Sequence, residues 1–278
     1  MAADPGLLMH DPREVLSRPA PPPDTVLRYG DLPEHVVDVY LPTASQDNHT
    51  IVVVVHGGFW RVGYDRLHLR PMAQALAAAG HTVASIEFRR TGQPGGGWPG
   101  TFDDVARAVD LVPRLVAEAV GTALPRVVLL GHSAGGHLVT WAASRPSLPP
   151  GSPWFRPDAG AVLVVDLAGV CALRHAHQLG LGDGATHDLL GGGPDDVPDR
   201  FAVADPAALL PGAPVVVLHG TEDPLVPIQV SRAYAAAMAD AGAGDRVRLV
   251  ELTGVEHFAL IDPLSTAWPA VLGALTPR

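Results

Sequence analysis

The sequence predicts an α/β fold, with a mostly parallel central sheet, helices on both faces and a small cap inserted over one edge. Three observations predict it. Short apolar runs alternate with helix-period patterns along residues 36–275, the rhythm of parallel strands joined by crossover helices. Runs such as Ile51–Val55 are apolar throughout, as strands covered on both faces must be. Residues 170–210 break the rhythm with Gly, Asp, Pro and only short apolar segments, which marks a loop-rich, cap-like insertion.

In chain order, residues 1–24 are Pro-rich and unpatterned, ending in PAPPPD, and read as an arm on the surface of a single domain, 25–278. Strands are expected at 36–41, 51–55, 82–88, 126–130, 161–167, 215–219 and 246–252. A helix over 71–79 has Pro71 in its first turn, Met72, Ala75, Leu76 and Ala79 on one face, and Gly80 at its end. After the loop TGQPGGGWPG, Thr101 is placed to cap a helix carrying Val105, Val109, Val112, Val116 and Val120. Pro113 falls inside that pattern and is expected to kink or split it. Further helices are expected at 135–144, at 228–241 ending at Gly242, and at 263–275.

Composition removes several chemistries. All 19 basic residues are arginine, so a Schiff-base lysine and a P-loop lysine are both impossible. A net charge of −10 without a basic run argues against nucleic acid and anionic membrane as partners. No apolar stretch approaches the roughly 20 residues of a spanning helix, and no secretory signal is expected from MAADPGLLMHDPREV. The single cysteine, Cys171, excludes an internal disulfide and reads as buried and unreactive, so a cytoplasmic location is expected. His175, His177, Asp183 and His187 are the candidate metal ligands, but solvated loop positions are the expectation, with no metal or organic cofactor.

The chemistry lies in four short motifs. Gly131-His132-Ser133-Ala134-Gly135 has the form G-x-S-x-G between a strand and a helix, where a sharp turn lifts the serine hydroxyl above the sheet. His56-Gly57-Gly58-Phe59-Trp60 leaves the strand 51–55 as a Gly-rich turn. The Gly58 and Phe59 N–H groups, with that of Ala134, are the candidate oxyanion hole. A serine needs a base, and the base needs a carboxylate to orient it. His219-Gly220-Thr221-Glu222-Asp223 follows the strand 215–219, and Asp223 is preferred to Glu222 because Pro224 fixes a turn beside it. In the order serine, acid, histidine, His257 of Gly254-Val255-Glu256-His257-Phe258 is the one histidine after Asp223. Trp60 and Trp98 are candidates for the substrate pocket or, equally, for the core.

Together HGGFW, GHSAG, HGTEDPLVP and GVEHF resemble the α/β-hydrolase superfamily. More narrowly they resemble its esterase and arylformamidase group with an HGGxW oxyanion motif, of which kynurenine formamidase is a member. The resemblance spans about residues 35–275. It implies Ser133 as nucleophile, Asp223 and His257 as its partners, Gly58 and Phe59 as oxyanion donors, and His56 and Trp60 as shapers of that loop. It implies a serine hydrolase acting on a small-molecule ester or N-formyl arylamide. Arg61 and Arg89 are the arginines considered for kynurenine's amino-acid group. A receptor built on the same fold is the alternative of another class, and the final strand and helix are offered as the edge of a homodimer.

Overall fold

The computed structural model describes residues 11–43, 47–123 and 126–276; residues 1–10 of the expected arm lie outside them. Eight strands form one sheet: β1 (Thr25–Arg28), β2 (Val36–Tyr40), β3 (Thr50–Val55), β4 (Thr82–Ile86), β5 (Arg126–His132), β6 (Leu163–Leu167), β7 (Val215–Gly220) and β8 (Val247–Leu252). Their spatial order is β1-β2-β4-β3-β5-β6-β7-β8. β2 runs antiparallel to both β1 and β4, and every other pairing is parallel.

The helices are α1 (Arg70–Ala78), α2 (Gly100–Val120), α3 (Ala134–Ala143), α4 (Leu173–Gln178), α5 (Leu181–Leu190), α6 (Pro198–Ala204), α7 (Gln229–Asp240) and α8 (Trp268–Ala274). Successive strand residues point to opposite faces and so build two cores. Ile51, Val53, Val55 and Leu129 join a cluster with α2, α3 and α7. Val52, Val54, Val128 and Leu130 join another with α1 and α8. No helix among the described residues is long and apolar enough to cross a membrane.

Four expectations need correction. β1 has no counterpart in the sequence reading; its burial alternates between half-buried and exposed, a weak signal at a sheet edge. α2 is one continuous helix across Pro113, because Val105, Val109, Val112 and Val116 are packed into the core and hold the backbone where one N–H is missing. Thr101 does not cap α2; its Oγ1 accepts from Gly97 N–H at 3.0 Å and donates to Arg89 O at 2.6 Å, tying the preceding loop to the helix start. The insertion is helical. Gly182, Asp183 and Gly184 take left-handed angles that bend the start of α5 and hide its periodicity from the sequence.

The cap is fastened at buried points. Asp205 accepts from the N–H groups of Leu173 (2.9 Å), Arg174 (3.1 Å) and Ala207 (3.1 Å), joining α4 to the end of α6. From α3, His137 Nε2 donates to Ala204 O and Trp141 Nε1 to Val203 O, each at 2.9 Å. Burial lowers His137 to about 4, so it makes this bond as a neutral ring.

The density of this core sets a prediction. Leu129 of β5 is fully buried in the cluster that the sheet shares with α2, α3 and α7, and Leu129→Ala is expected to lower unfolding free energy by about 3 kcal/mol in urea titrations. A loss below about 1 kcal/mol would mean that the site collapses readily and is not tightly packed.

Candidate active site

The parallel register brings the carboxyl ends of β3, β5, β7 and β8 to one edge of the sheet. Ser133 follows β5 directly and takes φ 55° and ψ −119°, a left-handed φ that is strained for a residue with a Cβ. Ser133 N–H donates to Leu167 O of β6 at 2.8 Å, which holds the turn. Close packing sharpens it: a Cβ on Gly135 would collide with Val55 O of β3, so the first turn of α3 lies against the sheet without room for a methyl group.

Behind Ser133 stand the candidate base and acid. His257 Nδ1 donates to Asp223 Oδ2 at 2.5 Å, and His257 lines the same recess as Ser133. Asp223 Oδ1 accepts from Leu225 N–H (2.9 Å) and Val226 N–H (2.8 Å). A further histidine meets Oδ2: His219 Nε2 lies 3.3 Å away while bonding to Val226 O at 2.8 Å, with Nδ1 on Ser231 Oγ at 2.7 Å. Burial alone would raise the Asp223 pKa, but the bonds from His219 and His257 outweigh it and hold the carboxyl far below its usual range. Glu222, its rival in the sequence, is exposed. His132 Nε2 donates to His257 O at 3.1 Å, and burial keeps that ring neutral.

The third element is the loop after β3. Gly58 (φ 113°), Phe59 (φ 50°) and Trp60 (φ 56°) are all left-handed. A Cβ on Gly58 would run into the side chain of Tyr64, so only glycine fits. Trp60 Nε1 donates to Ala134 O at 3.1 Å and ties this loop to the serine turn. His56 Nδ1 bonds to Gly57 O at 2.7 Å. In a trans peptide C=O and N–H point in opposite directions, so pinning Gly57 O aims Gly58 N–H away from His56. Neither Gly58 N–H nor Phe59 N–H donates to another group among the described residues.

His56 is itself anchored, with Nε2 on Glu87 Oε1 at 2.9 Å. Burial would raise the Glu87 pKa, yet His56 and Arg90 hold it down, at about 2.

Ser133 and His257 open on a recess of about 30 Å³ whose walls include Gly58, Phe59, Leu225, Phe258 and Leu16. Neither tryptophan offered for a pocket lines it. Trp60 is buried under the serine turn, edge-on to His137. Trp98 packs edge-on to Trp154 and Phe102 with Arg200 over its face. Arg61 bonds to Asp188 Oδ2 and Asp183 O, and Arg89 is paired with Asp104, so both are committed within the protein. Cys171 is buried with Sγ 3.1 Å from Asp166 Oδ2. The described residues bring together no group of three or more His, Cys, Asp or Glu fit to hold a metal.

Sequence reasoning missed His219, Glu87, His132 and Leu16 as parts of this site. His219 and His132 sit inside the motifs, where their spacing was visible but their partners were not. Leu16 carried no signal.

This sheet order, with a strained serine turn after β5 and Asp223 and His257 on later loops, defines an α/β-hydrolase fold. A sequence profile described as BD-FAE matches residues 37–238, and the chain belongs to this family of hydrolase-fold esterases. It is similar to Esterase LipQ of Mycobacterium tuberculosis, 30% identical over 213 residues, covering 74% of this chain and 49% of the relative. It is also similar to the isoprenylcysteine alpha-carbonyl methylesterase ICME of Arabidopsis thaliana, 28% identical over 255 residues, covering 85% and 57%. The chain thus spans about half the length of the curated relatives it matches. Among solved structures, a truncated carbohydrate esterase from gut microbiota superposes with a TM-score of 0.73 at 21% identity, covering 89% of this chain and 95% of that one. Native esterase 2 of Thermogutta terrifontis does so with a TM-score of 0.69 at 22% identity, covering 93% of each chain.

The His56–Glu87 pair yields a pH prediction. Glu87 is depressed from 4.5 to about 2, so its stabilising effect is complete above pH 4.5 and is lost as pH falls toward 2. Glu87→Gln is therefore expected to lower stability by about 3 kcal/mol at pH 7 in urea titrations, with the deficit shrinking as pH nears 2. An equal deficit at pH 7 and pH 3 would contradict an ionised Glu87.

Proposed function

We propose that this protein is a serine hydrolase that cleaves small carboxylic esters through an acyl-enzyme on Ser133. The observation that carries the proposal is the 2.5 Å bond from His257 Nδ1 to Asp223, made by a histidine that lines the same recess as Ser133. His257 takes the Ser133 Oγ proton as Oγ attacks the ester carbonyl carbon. The negative oxygen that forms is received by the Gly58, Phe59 and Ala134 N–H groups, each worth about 3 kcal/mol in such a hole. The tetrahedral species collapses, and His257 returns the proton to the departing alcohol oxygen. Water, activated by the same histidine, then attacks the acyl carbon and restores Ser133.

Ester cleavage is favoured because the relatives named above are esterases and a methylesterase. The small recess favours a second reading with the same mechanism, hydrolysis of N-formyl arylamides, whose acyl group is the smallest there is. N-formylkynurenine in particular finds less support, since Arg61 and Arg89 are already paired with acids of the protein.

Incubation with a fluorophosphonate followed by intact-mass measurement tests the proposal. One adduct is expected on the wild type and none on Ser133→Ala, which is expected to lose ester turnover by a factor of about 10⁴ or more. A wild type that stays unlabelled, or a Ser133→Ala variant that keeps its activity, would overturn it.

A further inference from the structure

Leu16 closes the catalytic recess from a part of the chain far from every motif. It ends the short 3-10 helix Pro12–Leu16. That helix lies against Phe258–Ile261, the turn that begins one residue after His257, and against Arg66–Leu69. On one side of Leu16, Val15 is 1% exposed and sits in the apolar cluster that contains Leu69, Leu260 and Ile261. On the other, Arg18 donates through both terminal nitrogens to Asp262, Nη1 to Oδ1 at 2.5 Å and Nη2 to Oδ2 at 2.9 Å. Leu16 is therefore held between two anchored neighbours.

Two spaces meet at this side chain. Inside is the recess of about 30 Å³ that holds Ser133 and His257. Outside is an open basin of about 460 Å³ between residues 16–20 and residues 62–70. Leu16, Tyr64 and His68 line both, so they are the partition between them. Burial, aided by His56, lowers His68 to about 3, so its part of the wall is uncharged. The recess has room for roughly two water-sized groups. A hydrogen or methyl group on the scissile carbonyl fits there, whereas a longer chain has to pass Leu16 into the basin.

We infer that Leu16 is a specificity-determining residue that limits the size of the substrate group beside Ser133 by walling the recess off from the basin. This rests on the serine-hydrolase reading. Shortening Leu16 merges the two spaces, enlarging it seals them apart, and loosening the Arg18–Asp262 pair frees the wall to swing. The filter then acts on size while leaving the reacting groups in place.

The test measures kcat/KM for p-nitrophenyl esters from acetate to octanoate and for acetates of alcohols from methanol to hexanol. It uses the wild type, Leu16→Ala, Leu16→Trp and Arg18→Gln, with active sites counted by titration with a small phosphonofluoridate. Leu16→Ala is expected to raise the long-to-short ratio in at least one series by about tenfold. Leu16→Trp is expected to lower that ratio, and Arg18→Gln to move it in the direction of Leu16→Ala. Fully titrating variants with unchanged ratios in both series would overturn the role of Leu16 and leave the hydrolase reading standing. A wild type that neither titrates nor cleaves any ester would overturn that reading and the inference with it.

Discussion

The site depends on a strained backbone at Ser133. A left-handed φ on a residue with a Cβ persists only where its surroundings over-determine it. Here β6 fixes the Ser133 N–H, and α3 presses against β3 through a glycine that admits no side chain. Phe59 and Trp60 repeat the same strain one strand away, and the Trp60 indole bonds to the backbone of the serine turn. The two strained loops thus brace one another.

Five histidines around the recess are sorted by the chemistry of their partners. His56 is held between Gly57 O and Glu87 Oε1, and Glu87 is kept below its usual range by His56 and Arg90. His68 and His132, desolvated, stay neutral, and His132 serves as a donor to the His257 backbone. His257 and His219 share one oxygen of Asp223, which two backbone N–H groups hold from the other side. A carboxylate fixed by four donors cannot rotate, so the imidazole bonded to it is fixed as well.

Much of this was legible because the motifs are local. Ser133, Asp223 and His257 each follow a strand directly or close the loop after one, and parallel strands bring such positions to a common edge. What could not be read was held by distance in the chain. Arg18 and Asp262 are 244 positions apart, and nothing near Leu16 marks it as part of a catalytic wall. The cap was misread as loop because its helices are short and α5 opens with three left-handed residues, which erase the period. Pro113 misled for the opposite reason: a local breaker was overruled by apolar side chains packed into the core. Trp60 was visible as an aromatic beside the loop, but only the structure shows that its ring faces the core and not the recess.

The central claim is that the loop after β3 and the turn after β5 form one receptor for the negative oxygen of an acyl-transfer step. A crystal structure of the protein carrying a phosphonate on Ser133 tests it most directly. The account predicts the phosphoryl oxygen within hydrogen-bond reach, about 3 Å, of the Gly58, Phe59 and Ala134 N–H groups, with His257 Nε2 facing the serine oxygen. A phosphoryl oxygen turned away from these three groups would contradict it.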